Sequence, residues 1–215
     1  MIKKNRLCYF CGKPNADSKD HIPPRGIFPK KPQGQLITVP AHKSCNEEFH
    51  KDDELFRNII ISGCYRTENG RKAWDEQVVD SWKKNRGAKK SLRDLLIPIV
   101  IKDPTTGTIV QKYGIAIELE LFERQVKRWA RGLYYNRFKE PLSQESKIVV
   151  ERLLPPEISI NSMNNHFTKN GIKPKWIHVE KNVFSYFYAA SIEDKNVGFI
   201  IFVLFNTEVY TASIN

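Results

Sequence analysis

The chain has 215 residues, with 35 Lys and Arg against 24 Asp and Glu, a net charge of +11. Hydrophobic residues make up 40% and charged residues 27%, which excludes a disordered chain and suits a globular one, in one large domain or two small ones. The longest uncharged apolar run, Val197 to Phe205, is nine residues, too short for a membrane helix of about 20; with no hydrophobic leader after Met1, a cytoplasmic protein is expected.

The charge is unevenly placed. All of the excess lies in residues 1–150, and residues 151–215 are neutral. A basic front points to a polyanion partner, most simply nucleic acid; the alternative is a protein that is merely basic.

Taken in chain order, residues 1–40 are rich in Pro, Gly and Lys, with two short extended segments. One lies around Lys19–Pro23 and the other at Gln35–Pro40, joined by a loop holding Pro29, Pro32 and Gly34. A helix is predicted from Ser44 to about Gly63, with Phe49, Phe56, Ile59 and Ile60 as its apolar stripe. A second is predicted over residues 71–86, with Trp74, Val78 and Trp82 at four-residue spacing, followed by a basic stretch, Lys83–Arg93. Ile97–Lys102 and Thr108–Glu118 read as a hairpin turning at Asp103–Gly107. Glu120–Phe138 is the best amphipathic helix: Phe122, Val126, Trp129 and Leu133 share one face, with Arg124, Lys127, Arg128 and Arg131 opposite. Four strands follow, Trp176–Val179, Val183–Ala190, Val197–Phe205 and Val209–Ser213. The third is apolar on both faces, as a covered central strand requires. The aromatic residues of this segment read as core rather than as a base-stacking platform.

The chemistry concentrates near the N-terminus. Cys8 and Cys11 form a C-x2-C pair, and His42 and Cys45 form a second pair with the same spacing. Three thiolates and an imidazole make a closed tetrahedral zinc site with no open position, so the zinc is expected to be structural. The competing reading is that Cys8 and Cys11 are ordinary thiols and His42 a surface histidine. Cys64 falls outside both pairs and reads as a small buried residue at a helix end. Between the pairs stands Asp20-His21-Ile22-Pro23, and Asn46 follows the last of them directly. His50 lies four residues beyond Asn46, on the same helix face.

Together, Cys8-x2-Cys11, Asp20-His21-Ile22-Pro23, His42-x2-Cys45-Asn46 and His50 resemble the HNH endonuclease family, whose core is the ββα-metal finger. The resemblance covers residues 6–60. It implies His21 as the general base that activates water, and Asp20 and Asn46 as ligands of a catalytic Mg²⁺ or Mn²⁺, with His50 as a third. It also implies Cys8, Cys11, His42 and Cys45 as the zinc ligands, His42 standing where many zinc-bearing members carry Cys. Arg25, Lys30 and Lys31 on the adjoining loop are candidate phosphate contacts, as are Arg124, Arg128 and Arg131; for any one of these a solvated cation is the competing reading.

The expected fold is α+β. An N-terminal zinc-stabilised finger (residues 1–65) leads through a helical connector (66–95) to a C-terminal domain of unknown role, mainly antiparallel sheet with helices (96–215). The expected activity is metal-dependent hydrolysis of phosphodiester bonds in DNA, with restriction or phage defence as settings. Two alternatives stay open: a zinc module that binds nucleic acid without cutting, and an RNase or toxin on the same core. A homodimer or a regulatory partner acting through the C-terminal segment is open too.

Overall fold

The computed structural model describes residues 6–103, 105–153, 160–171 and 173–215. Residues 1–5, read above for a leader, and Pro104 in the expected turn lie outside them. The architecture is α+β, with helices and antiparallel sheets.

Strands β1 (Ser18–Ile22) and β2 (Ile37–Ala41) pair antiparallel, from Ser18↔Ala41 to Ile22↔Ile37. Helices α1 (Lys43–Glu48) and α2 (His50–Gly63) follow, so the helix predicted from Ser44 to Gly63 is present with a break at Phe49. Asp17 Oδ1 accepts from the Lys43 N–H at 2.8 Å, which satisfies one open donor at the start of α1. Phe49, Phe56, Ile59 and Ile60 are all buried, as their spacing predicts, and Cys64 is buried at the C-terminal end of α2.

The helix predicted over residues 71–86 is α3 (Glu68–Ala73), a π-helical segment (Trp74–Val79) and α4 (Asp80–Lys84) in unbroken succession. The Thr67 hydroxyl accepts from the Gly70 N–H and starts it earlier than the apolar spacing shows. The basic stretch becomes α5 (Arg86–Asp94), and β3 (Leu96–Lys102) pairs with β4 (Ile109–Ile115) as the expected hairpin.

Helix α6 (Leu119–Phe138) lies between two layers. It packs on β1, β2 and α2 on one side and on β5 and β9 on the other. Trp129 shows the join: it is fully buried, its ring 5.1 Å from Phe56 on α2 and 6.0 Å from Phe202 in the sheet. Truncating such a residue to Ala costs about 3–5 kcal/mol. Gly132 sets the spacing on the other side, because a Cβ there would stand 2.4 Å from Ile22 Cγ1. Only glycine lets the α6 backbone rest on β1.

The last layer is a five-stranded antiparallel sheet in the order β5-β9-β8-β7-β6. Its strands are β5 (Ile148–Leu153), β6 (Ile177–Glu180), β7 (Phe184–Ala190), β8 (Gly198–Leu204) and β9 (Glu208–Ile214). The predicted covered strand is β8, at the centre. Its Ile200, Phe202 and Leu204 join the core under α6, while Ile201 and Val203 join a second cluster with Met163 of α7 (Ile160–Lys169). Of the C-terminal aromatic residues, Phe184, Tyr186, Phe187, Tyr188, Phe202 and Phe205 are buried, as core residues should be, and Phe199 is partly buried. Strand β5 and helix α7 are additions to the sequence reading. Among the described residues, no helix is long and apolar enough to cross a membrane.

Candidate metal centre and adjoining cleft

Cys8 and Cys11 lie in a tight loop ahead of β1. There the Cys8 N–H donates to Lys13 O, and the Gly12 N–H to Cys8 O, both at 2.9 Å. The Tyr9 N–H donates to Pro40 O at 2.9 Å and fastens this loop to β2. His42 stands at the N-cap of α1 and Cys45 within its first turn. The ligand atoms of Cys8, Cys11, His42 and Cys45 all lie within 4.8 Å of one another. Zinc–sulfur bonds of about 2.3 Å in a tetrahedron need ligand separations of about 3.8 Å, so a small contraction closes the group on an ion.

The histidine is set for this. His42 Nε2 donates to Pro14 O at 2.8 Å, which leaves the Nδ1 lone pair 3.3 Å from Cys11 Sγ. Burial pushes the Cys45 thiol up to about 12, and its neighbours Cys11 and Cys8 add to the rise. Burial opposes ionisation of Cys11 too, but hydrogen bonds from the Lys13 backbone and from Cys8 and Cys45 hold that thiol below its usual value. Cys11 thus ionises at the expense of Cys45; a cation at the centre removes that conflict. The donor set fits zinc, and the four side chains can hold it.

The same β1–β2–α1 unit carries a cleft of about 340 Å³. Asp20, His21, Arg25 and Gly26 line it from β1 and the loop that follows, and Asn46, His50, Asp53 and Arg57 from α1 and α2. The four residues singled out for catalysis, Asp20, His21, Asn46 and His50, therefore meet around one space. His21 is half-buried. Burial lowers its pKa, and the Arg25 charge helps while the Asp20 charge opposes. The imidazole is neutral at neutral pH and keeps a lone pair for a proton.

Asp20 is buried, and Oδ2 takes every hydrogen bond its carboxylate receives among the described residues. The donors are Tyr9 Oη at 2.6 Å and Arg128 Nη2 and Nε at 2.7 and 3.1 Å. Arg128 also reaches Asp53, with Nη2 3.3 Å from Oδ2, and Gln125 Nε2 donates to Asp53 Oδ1 at 3.0 Å. The Phe49 ring lies 4.5 Å from the guanidinium carbon. Burial raises the pKa of Asp53 in spite of Arg128, and that of Tyr9 as well. The Arg128 side chain is 0% exposed, so its assignment as a nucleic-acid contact is corrected. Helix α6 is covered on two sides, and the residue that looks solvated by periodicity is the buried cation between two carboxylates.

No family model, curated protein or solved structure matches the chain.

The other candidate cations lie elsewhere or are engaged. Arg25 lines the cleft but gives its N–H groups to Phe28 O, Pro29 O and Lys30 O at 2.6–3.3 Å, folding the loop back on itself. Lys30 pairs with Asp80, and its N–H donates to Glu76 at 2.9 Å. Lys31 is exposed and away from the cleft. Arg124 pairs with Asp52 at 2.9 Å. Arg131 donates to Leu142 O and Ser143 O, both at 3.1 Å, beside Lys127 and Lys147 in a separate groove. Asp53, Glu54 and Arg57 are cleft residues that the sequence reading passed over. Their signal is the helical spacing from His50, three, four and seven residues on.

Proposed function

We propose that the protein is a metal-dependent endonuclease of the HNH type that hydrolyses phosphodiester bonds in DNA. The observation that carries this reading is the meeting of Asp20, His21, Asn46 and His50 around one cleft, on a strand pair and helix fastened by the Cys8, Cys11, His42 and Cys45 group. His21, neutral and half-buried, takes the proton from a water molecule. The water oxygen forms the new bond to phosphorus, the bond to the 3′-oxygen breaks, and that oxygen leaves with a solvent proton. Asp20 Oδ1, the Asn46 amide oxygen and His50 are the groups that would hold a Mg²⁺ or Mn²⁺ ion. Such an ion, when bound, neutralises charge on the phosphate and the leaving oxygen. Asp20 suits this role because Tyr9 and Arg128 hold Oδ2 and leave Oδ1 without a partner among the described residues. The zinc at the Cys and His group is structural, since four protein ligands close it.

The test is cleavage of a supercoiled plasmid with added magnesium or manganese, beside a reaction without either ion and one with His21→Ala. Wild type is expected to nick or linearise the plasmid, with both controls silent. The His21→Ala protein should keep its zinc and its affinity for DNA. Full activity in that variant, or a wild type silent on DNA and active on RNA, overturns the reading as stated.

A further inference from the structure

We propose that Arg57 is the phosphate-binding side chain of the cleft, gripping the nucleic-acid backbone from α2; this rests on the endonuclease reading. Among the described residues, the Arg and Lys side chains that line the cleft are Arg25 and Arg57. Arg25 is tied to three backbone carbonyls. Arg57 is different. Its Nε and Nη2 both donate to Asn58 Oδ1, at 3.0 and 2.9 Å, and Asn58 is buried. A neutral amide therefore fixes one edge of the fork without cancelling its charge. Its one acidic partner among the described residues, Glu54, is loose at 3.4 Å from Nη2. Glu54 is shared, since Oε1 also accepts from Ser81 Oγ at 2.9 Å and Oε2 from Asn85 Nδ2 at 3.4 Å.

The remaining nitrogen, Nη1, has no hydrogen-bond partner among the described residues. It lies over Gly26, where a Cβ would stand 3.4 Å from Nη1 and 2.9 Å from Cδ. Glycine in the 3-10 turn after β1 (Arg25–Ile27) is thus what lets the Arg57 side chain lie along the wall of the cleft. That side chain is 13% exposed. A guanidinium held rigid on one edge and open on the other is preorganised for a phosphate oxygen, and little side-chain freedom is lost on binding. The cleft then divides by chemistry. Asp20, His21, Asn46 and His50 offer oxygen and nitrogen ligands for a cation and a water, and Arg57 offers the positive charge that the phosphate needs.

Two substitutions reach the same side chain by different routes. Arg57→Ala removes the charge; Gly26→Ala keeps the charge and displaces the side chain. Binding is read by fluorescence anisotropy of a labelled DNA duplex with the full-length protein, without added divalent cation or chelator, across a salt titration. Zinc content and thermal unfolding are recorded beside it. Arg57→Ala is expected to bind about tenfold more weakly, with the slope of log affinity against log salt smaller by about one. Gly26→Ala should show the same loss of affinity. Arg57→Lys should keep the slope and lose part of the affinity, because an ammonium cannot fork. Wild-type affinity and slope in both Arg57→Ala and Gly26→Ala overturn the proposal. Where Arg57→Ala loses zinc or fails to fold, wild-type affinity in both Gly26→Ala and Arg57→Lys overturns it instead. A wild type that cuts DNA, with variants that bind and cut as it does, sinks the Arg57 assignment alone. A wild type that binds in the expected pattern but never cuts sinks the nuclease reading alone. Absence of both binding and cleavage sinks both.

Discussion

The β1–β2 and β3–β4 pairs are both two-stranded antiparallel sheets, yet they stand very differently in the molecule. The second has the longer ladder, seven residues a strand against five. It is nonetheless the more exposed, with Val100 at 71%, Ile109 at 73% and Tyr113 at 71%. In the shorter pair Ile22, Val39 and Ala41 are buried, α6 rests on Ile22, and the Cys8 loop is bonded to β2. Two strands alone are marginal in water. Among the described residues, the β3–β4 pair meets the core only at its Ile115 end. What separates the pairs is therefore how much packs against them, and the candidate catalytic groups stand on the pair with the more extensive ties.

Removing those ties should have the largest effect. Cys8→Ser, or treatment with a strong zinc chelator, should unfold the β1–β2–α1 unit. Structural zinc supplies about 10–16 kcal/mol in small finger peptides, as much as the whole stability of a typical domain, about 5–15 kcal/mol. Circular dichroism and thermal unfolding check this, and a melting transition unmoved by the chelator breaks the comparison. Arg128→Met comes next. It leaves the Asp20 and Asp53 carboxylates without their shared cation, and breaking one partner of a buried ion pair costs about 3–5 kcal/mol. Urea unfolding measures it; a cost below about 1 kcal/mol would mean that this network does not hold β1 to α6. At the small end, Val100→Thr on the exposed pair should change stability by no more than about 0.5 kcal/mol. A larger loss in the same urea experiment would show that the hairpin is covered in solution and would erase the contrast.

The same contrast governs what is legible in the sequence. The Cys8, Cys11, His42 and Cys45 group follows from two-residue spacings, and the meeting of Asn46 with His50 follows from one helical turn. These are local geometries, and the structure brings the residues together as their spacing implies. The aliphatic and aromatic face of α6 was legible by the same rule. Arg128 was not, since its partners lie 75 and 108 residues away and periodicity places it on the polar side. Its burial depends on a second layer covering that side, which no local pattern encodes. Strand β5 sits at the sheet edge, and its exposed residues, Val149 and Glu151, dilute the apolar signal. Helix α7 buries Met163 and partly Phe167 against the sheet, too little for a clear stripe. Asp53 and Arg57 had the spacing to be seen; a charged helix face reads as solvated until the cleft beside it is known.

The separation between Arg128 and its carboxylates also sets an order in time. Asp20 and Asp53 leave the ribosome 108 and 75 residues ahead of Arg128. At about 5–20 residues per second, Asp53 waits roughly 4–15 seconds for its counter-charge. During that interval the nascent chain already has its Cys and His ligands, His21, Asn46 and His50, but Asp20 has neither Arg128 beside it nor α6 behind it. The cleft is completed only once Arg128 and α6 have followed, so a growing polypeptide passes the nucleic acids of the translation machinery with this site unfinished.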